Sequence, residues 1–67
     1  MEVLINQQAV SVQPDASLLD VLNGYGVLQS KGVAVAVNET VVPTNQWEIT
    51  RLQPDDRVII IKAAQGG

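Results

Sequence analysis

The sequence predicts an α+β domain in which one β-sheet carries a single helix on one face. Three observations predict this fold class. Two short β-like runs with a brief polar gap open the chain, one short amphipathic segment follows them, and the longest β-like run, residues 57–62, comes near the end. Several strands and one helix bury their apolar surfaces together when the helix lies across one face of the sheet.

The opening segment predicts a β-hairpin. Residues 1–5 have the composition of a strand, Asn6-Gln7-Gln8 is a polar break, and residues 9–12 form a second, alternating run. Two such runs with a short polar gap are typical of a hairpin. Gln13-Pro14-Asp15 then ends the second strand.

The next segment predicts a helix of about two turns that begins after Ser17 and ends at Gly24. Ser17 is the expected N-cap residue, and Asp20 stands at the N3 position of a capping box. Three apolar residues fall on one helical face: Leu18, Val21 and Leu22. Because so short a helix needs tertiary packing to persist, we expect this face to be buried.

The remaining segments predict three further strands. Residues 33–37 alternate valine and alanine, which places valines on one face of a strand and alanines on the other. Asn38-Glu39-Thr40 reads as a turn, and residues 41–42 as a short strand that Pro43 ends. If the first and last strands pair, they become central in a sheet of four or five strands.

A connector precedes the last strand. It spans residues 44–52 and contains Trp47, which we expect to cover one end of the core. Pro54-Asp55-Asp56 reads as an ordinary turn. The adjacent carboxylates are therefore not interpreted as a catalytic pair.

The last strand also predicts a partner-binding patch. Residues 58–61 are apolar on both faces of the strand, whereas one helix covers only one face of the sheet. With Val58 and Ile60 inward, the outward side chains are Leu4, Ile59 and Ile61, and together they form the predicted patch. Two alternatives stay open: these are scattered surface residues, or the opposite inward choice moves the patch to Val58 and Ile60.

Composition excludes several classes of function. The 67 residues contain no Cys and no His, which removes disulfides, thiolate metal sites and the usual general base. The four basic residues are scattered in a chain of net charge −3, so we expect no nucleic-acid partner. No apolar run approaches membrane-spanning length and no signal-peptide pattern opens the chain. We therefore expect a cytoplasmic protein with no metal, no membrane partner and no catalytic residues.

The carboxyl terminus is the remaining candidate for chemistry. Residues 63–67 are expected to form a flexible tail that narrows to two glycines, whose backbone fits where other residues do not. Ala64, Gln65 and Gly66 would thread into a partner's active site. The reacting group would be the α-carboxylate of Gly67, which is ionised at neutral pH and must be activated, for example by attack on the α-phosphate of ATP.

One long stretch carries a family resemblance: VAVAVNETVVPTNQWEITRLQPDDRVIIIKAAQGG. It contains an alternating strand that ends in Asn38, then Val42-Pro43, Trp47, an acidic turn at Asp55-Asp56 and a terminal Gly66-Gly67. With this spacing and length, the chain resembles the sulfur-carrier family of thiamine biosynthesis, which are ubiquitin-like β-grasp proteins. The resemblance covers essentially the whole chain.

The resemblance implies a single β-grasp domain over residues 1–67, with a mixed sheet and one main helix. It also implies that an E1-like adenylyltransferase activates Gly67 with ATP and Mg²⁺, so that the chain itself holds no cofactor. A sulfur-donating enzyme would then supply the sulfur of a thiocarboxylate, which thiazole synthase consumes. The sequence departs from the family at Asp55, where glycine is frequent, and Gln65 is one of several residues tolerated before the glycines.

Three other functions stay open at this stage. One is a related β-grasp sulfur carrier for molybdenum cofactor or cysteine synthesis, although such proteins are usually longer and richer in Phe. The second is a ubiquitin-like modifier that is conjugated to lysines through Gly67. The third is a passive interaction module in which the tail has no role.

Overall fold

A computed structural model describes residues 1–26 and 32–62 of the chain. Five strands form one mixed sheet in the order β2-β1-β5-β3-β4. The strands are β1 (Glu2–Ile5), β2 (Gln8–Ser11), β3 (Val33–Val37), β4 (Thr40–Val41) and β5 (Arg57–Lys62), the helix α1 is Leu18–Gly24, and a 3-10 helix spans Thr44–Gln46. This architecture confirms the predicted α+β fold. The predicted tail, residues 63–67, lies outside the described residues.

The β1–β2 hairpin is confirmed, with a tighter turn than the sequence predicts. Only Asn6 and Gln7 form the turn, at φ values of 51° and 70°, and Gln8 already pairs with Ile5. Two consecutive residues with positive φ are the signature of a type I′ turn, whose twist suits a two-residue hairpin.

The β3–β4 hairpin repeats this design. Asn38 and Glu39 take φ values of 50° and 72°, and Thr40 pairs with Val37. The predicted strand over residues 41–42 is therefore displaced by one residue, because the turn needs two residues rather than three. Val42 lies just beyond β4, where its N–H donates to the carbonyl of Val35 at 2.8 Å.

β5 occupies the centre of the sheet and joins its two halves. It runs parallel to β1, with Ile5 beside Val58, and antiparallel to β3, with Val35 beside Ile60. The pairing of the first and last strands, which the sequence left as a condition, is thus observed. Because β5 has a neighbouring strand on each edge, Ile59 and Ile60 in its middle are both partly shielded from solvent.

Helix α1 begins as the sequence predicts. Ser17 Oγ accepts a hydrogen bond from the Asp20 N–H at 3.1 Å, and Asp20 Oδ2 accepts one from the Ser17 N–H at 3.2 Å, which completes the capping box. The helix ends at Gly24, and the left-handed conformation that follows belongs to Gly26, at φ 72°. No helix within residues 1–26 and 32–62 is long and apolar enough to cross a membrane.

The core lies between α1 and one face of the sheet. Trp47 is buried within it, and its Nε1–H donates to the carbonyl of Val42 at 2.9 Å. The connector also holds the helix, since the Leu18 N–H donates to the Thr50 carbonyl at 2.8 Å. The buried apolar side chains are Val3, Ile5, Ala16, Leu18, Val21, Leu22, Val35, Trp47, Leu52 and Val58.

Candidate functional site

The sheet has one face covered by α1 and one face that no described residue covers. Side chains alternate across a strand, so the buried Ile5 and Val58 fix which residues point toward the helix. The side chains that point the other way form what we call the open face: Leu4, Ala9, Ala34, Ala36, Val41, Ile59 and Ile61.

Strand register sets which apolar side chains are neighbours on the open face. Ile59 lies beside Ala36, and Ala36 beside Val41. Leu4 lies between Ala9 and Arg57 and is diagonal to Ile59. Leu4 is 36% exposed, Ile61 58% and Val41 69%, while Ile59 on the central strand is half-buried by its neighbours. Contiguous exposed apolar side chains of this kind mark interaction surfaces more often than isolated ones do.

The structure places the three predicted patch residues together on this face. The alternative inward choice is excluded, because Val58 is fully buried and Ile60 packs against the core. Sequence reasoning missed the contributions of Ala9, Ala34, Ala36 and Val41. The alternation in residues 33–37 already puts the alanines on one face, but only the strand register shows that this face is the one that carries Ile59.

Polar residues lie at one end of the open face, and the tail begins at the other. Glu2 on β1 and Arg57 on β5 share the face but stand at the starts of their strands. The apolar part extends along β5 to Ile61, one residue before the strand ends at Lys62. The surface predicted to bind a partner therefore extends almost to Lys62, the last described residue before residues 63–67.

Asn6 fixes the end of β5 at this point. Its Oδ1 accepts a hydrogen bond from the Ile60 N–H at 2.8 Å, its Nδ2 lies 3.4 Å from the Ile60 carbonyl, and its own N–H donates to the Val58 carbonyl at 2.8 Å. The side-chain amide thus takes the place of a backbone partner after β1 has ended at Ile5. This contact joins residues 54 positions apart, which is why local sequence patterns do not predict it.

A shallow cavity of about 350 Å³ lies beside this contact. Its walls are formed by Asn6, Tyr25, Ile60 and Lys62. The predicted threading residues Ala64, Gln65 and Gly66, together with the reacting Gly67, lie outside the described residues, so their roles stay predictions.

Two motif residues of the resemblance, Asn38 and Asp56, connect the turn before β5 to the rest of the fold. Asn38 Nδ2 donates to Asp56 Oδ1 at 2.9 Å, and Asn38 Oδ1 accepts from the Arg57 N–H at 2.9 Å. Asp56 Oδ2 also accepts from the Gln53 N–H at 2.8 Å. These bonds set the turn before β5 and connect it to the β3–β4 hairpin.

The adjacent Asp55 has a backbone role as well. Its φ of 67° lies in the left-handed region, where glycine is favoured and Asp is tolerated. This geometry accounts for the glycine that is frequent in the family at this position. Within residues 1–26 and 32–62, no group of three or more Asp and Glu side chains could hold a metal ion.

A β-grasp fold, with a mixed five-stranded sheet and one helix across it, is the class that this architecture defines. Its counterparts among solved structures agree. The crystal structure of a thiamine biosynthesis protein (ThiS) from Geobacter metallireducens superimposes with a TM-score of 0.83 at 22% identity and covers all of both chains. An NMR structure of a thiamine biosynthesis protein from the same organism gives 0.79, also at 22% identity, and covers all of this chain and 88% of that one.

Sequence comparison then gives the family. The ThiS family model matches residues 2–67, and the chain therefore belongs to the ThiS family. It is also 28% identical over 67 residues to the sulfur carrier protein ThiS of Escherichia coli K12, with complete coverage of both chains.

Proposed function

We propose that this protein is the sulfur carrier of thiamine biosynthesis and that its cargo is bound at the α-carboxylate of Gly67. The observation that carries the proposal is membership of the ThiS family over residues 2–67, which includes both terminal glycines. The protein is a co-substrate of other enzymes rather than an enzyme, and it works in the cytoplasm.

The chemistry at Gly67 follows from what a carboxylate can do. One carboxylate oxygen attacks the α-phosphorus of ATP on an E1-like adenylyltransferase with Mg²⁺, and pyrophosphate leaves. The resulting acyl-adenylate is attacked at its carbonyl carbon by hydrosulfide that a sulfur-donating enzyme has released, the new C–S bond replaces the C–O bond to the phosphate, and AMP leaves. The product is a thiocarboxylate whose sulfur thiazole synthase takes up to form the thiazole.

Docking of the folded body supplies the free energy that this tail chemistry needs. Fixing the backbone of residues 63–67 costs roughly 1–2 kcal/mol for each residue, or about 5–10 kcal/mol for the five. At roughly 25 cal/mol per Å² of apolar surface, burial of about 200–400 Å² offsets this cost. The exposed side chains Leu4, Ile61 and Val41 of the open face offer apolar surface for such burial.

The geometry of β5 supports the same assignment. The strand is fixed on both sides, by β3 and by Asn6, up to Ile60. The described segment that precedes residues 63–67 is therefore held in place next to the open face, where a partner would bind. Rigid support close to a reacting segment is what places it productively in another protein's active site.

Intact-mass measurement tests the proposal. The full chain is incubated with the E1-like enzyme of its own organism, ATP, Mg²⁺ and a sulfur donor. We expect a mass gain equal to the difference between sulfur and oxygen, localised to the C-terminal peptide, and thiazole formation when thiazole synthase is added. Covalent attachment to lysines would instead identify a protein modifier.

Deletion of Gly67 is the matched control. It should abolish the mass gain and leave the thermal midpoint unchanged, because the core is built within residues 3–58. Sulfur loading without thiazole formation would assign the chain to another sulfur-transfer pathway, and no loading with any donor would overturn the proposal.

A further inference from the structure

A second binding surface lies at the opposite side of the hairpin from the open face. β2 is an edge strand of the sheet, and a groove of about 620 Å³ separates it from α1. We call this the edge groove, and its apolar walls are Val10, Val12, Pro14, Val21, Gly24 and Tyr25. Neither the family comparison nor the proposed tail chemistry makes use of it.

The outer edge of β2 offers unpaired backbone groups to a new strand. In the antiparallel β1–β2 pair, Val12 and Met1 exchange two hydrogen bonds, each 2.8 Å long. Because such exchange alternates along a pair, the N–H and C=O groups of Ala9 and Ser11 point away from β1. Among the described residues, no strand lies beyond them.

The two edges of the sheet are not equally protected. β4 is two residues long and Pro43 follows it closely, which are common devices against unwanted pairing. β2 spans Gln8–Ser11 with no Pro, no charged residue and no bulge. An unprotected edge next to an apolar groove is the arrangement by which proteins accept an extended peptide as an additional strand.

The charged groups that line the groove indicate which residues a bound peptide would carry. Two charged groups line it: the α-ammonium group of Met1, which already donates to the Val12 carbonyl at 2.8 Å, and Asp20, whose carboxylate accepts from the Ser17 N–H. We infer that β2 and the edge groove together bind an extended peptide segment of a partner protein. The segment pairs with Ala9 and Ser11 through its backbone, places alternate apolar side chains in the groove, and carries one Lys or Arg opposite Asp20.

A second copy of this chain does not fit the same surface. If two β2 strands paired, the inward side chains Val10 and Val12 of each would remain packed against that copy's own core. Such a pair would leave both grooves empty. In an extended segment that is not part of a folded core, the side chains facing the groove are available to fill it. For this reason we assign such a segment as the occupant.

Selection from a displayed library of random linear octapeptides tests the inference on the full-length chain. We expect enriched peptides that alternate apolar and polar residues and carry a basic residue. One of them, synthesised and titrated into isotope-labelled protein, should slow amide hydrogen exchange at Ala9 and Ser11. No enrichment, or exchange protection on the open face instead, would overturn the inference.

Four variants at three positions make the result specific. Ser11→Pro removes an outward N–H without touching the β1–β2 ladder and should weaken binding by about tenfold or more. Gly24→Leu should fill the groove with a similar effect, since a Cβ at Gly24 meets no atom within 4 Å, while the smaller Gly24→Ala should bind nearly normally. Asp20→Asn keeps the acceptor for the cap but removes the charge, so it should reduce the preference for basic peptides.

The outcomes also separate this inference from the proposed function. Gly24 and Asp20 lie on the helix side of the sheet, and Ser11 shares the open face only at its polar end, beside Glu2, so sulfur loading of Gly67 should proceed at the normal rate in every variant. Equal peptide affinity in Ser11→Pro and the parent protein would contradict strand addition. If the protein self-associated with increasing concentration and the amides of Ala9 and Ser11 became protected, the occupant of the β2 edge would be a second copy of the chain. This result would overturn the inference that an extended peptide binds there.

Discussion

Single asparagines do much of the organising work in this small domain. Asn6 and Asn38 each open a two-residue turn with positive φ, and each then uses its side-chain amide to reach β5. Asparagine suits both tasks because it tolerates the left-handed region better than most residues and carries a donor and an acceptor. The two residues therefore fix both ends of the central strand.

Substitutions at Asn6 should separate the contribution of its side-chain hydrogen bond from that of its backbone conformation. Asn6→Gly keeps the backbone conformation but leaves the Ile60 N–H without its partner, and we expect a loss of about 1 kcal/mol in the free energy of unfolding. Asn6→Ala adds the cost of a positive φ, roughly 1 kcal/mol more. Urea unfolding measures both, and equal stability of the two variants would contradict this division. Amide exchange at Ile60 should quicken in each.

Trp47 provides a test of the connector. Trp47→Phe removes the donor to the Val42 carbonyl and leaves space at the end of the core. We expect a loss of about 1–3 kcal/mol, from an unsatisfied carbonyl and lost contacts, measured by circular dichroism in urea. Tyr25→Phe, at a 44% exposed position, is the matched control and should change stability by less than about 0.5 kcal/mol. If Trp47→Phe lost no more free energy of unfolding than Tyr25→Phe, the hydrogen bond and packing of the indole would not contribute to stability.

At the scale of single helices and strands, the sequence predicts correctly those features that depend on residues close together in the chain. Three features follow from residues that are only a few positions apart in the sequence, and the structure has them as predicted. They are the capping box at Ser17 and Asp20, the buried face of α1 and the alternation of β3. The turn lengths were missed by one residue, because neither hairpin carries the glycine that usually marks a type I′ turn.

The missing glycines lead to a prediction about stability. Gln7 and Glu39 occupy the second positions of the two turns at φ values of 70° and 72°, where glycine is the preferred residue. Gln7→Gly should therefore raise the free energy of unfolding by about 0.5–1 kcal/mol, or the melting temperature by roughly 2–8 °C for a domain of this size.

A glycine one residue further on is the control for this effect. Gln8→Gly places the same residue inside β2, where it loses conformational entropy and side-chain packing, and the melting temperature should fall. Thermal unfolding followed by circular dichroism compares the two variants. A lower melting temperature for Gln7→Gly would show that the Gln7 side chain contributes more than the strain of its backbone.

At the scale of the whole molecule, the functional surfaces depend on contacts that span the chain. The parallel pairing of β1 with β5 brings Leu4 to the same face as Ile59 and Ile61, and β3 adds its alanines from the other side. Neither the register nor the amide contact of Asn6 leaves a local signal in the sequence. Sequence reasoning therefore identified three members of the open face but not its extent, and it missed the edge groove.

Placement of these surfaces allows two partners to bind at once. The open face lies on the side of the sheet away from α1, whereas the edge groove lies between α1 and β2. β5, the strand that precedes residues 63–67 in the sequence, lies in the middle of the sheet, and the open face extends along it to Ile61. An enzyme that acts on the tail can thus occupy the open face while an extended segment pairs with β2.

The open face itself is tested by moving a charge onto it. Ile61→Lys places an ammonium group where a partner would bury an apolar side chain, and one such contact is worth about 1.4–2.8 kcal/mol, or tenfold to a hundredfold. We expect kcat/KM for adenylation of Gly67 to fall by this factor, mainly through KM, because the reacting carboxylate is unchanged. Initial rates of pyrophosphate release at varied carrier concentration measure both parameters.

Ile49→Lys is the matched control, because Ile49 is 68% exposed and lies in the connector that contacts α1, on the other side of the sheet. Both variants should keep the free energy of unfolding within about 1 kcal/mol of the parent value, since neither side chain belongs to the core. If the two isoleucines were equivalent surface residues, both variants would react alike, and the open face would have no role in docking. If the open face binds the partner enzyme while Gly67 carries the sulfur, kcat/KM for adenylation should fall in Ile61→Lys alone, and both variants should have normal stability.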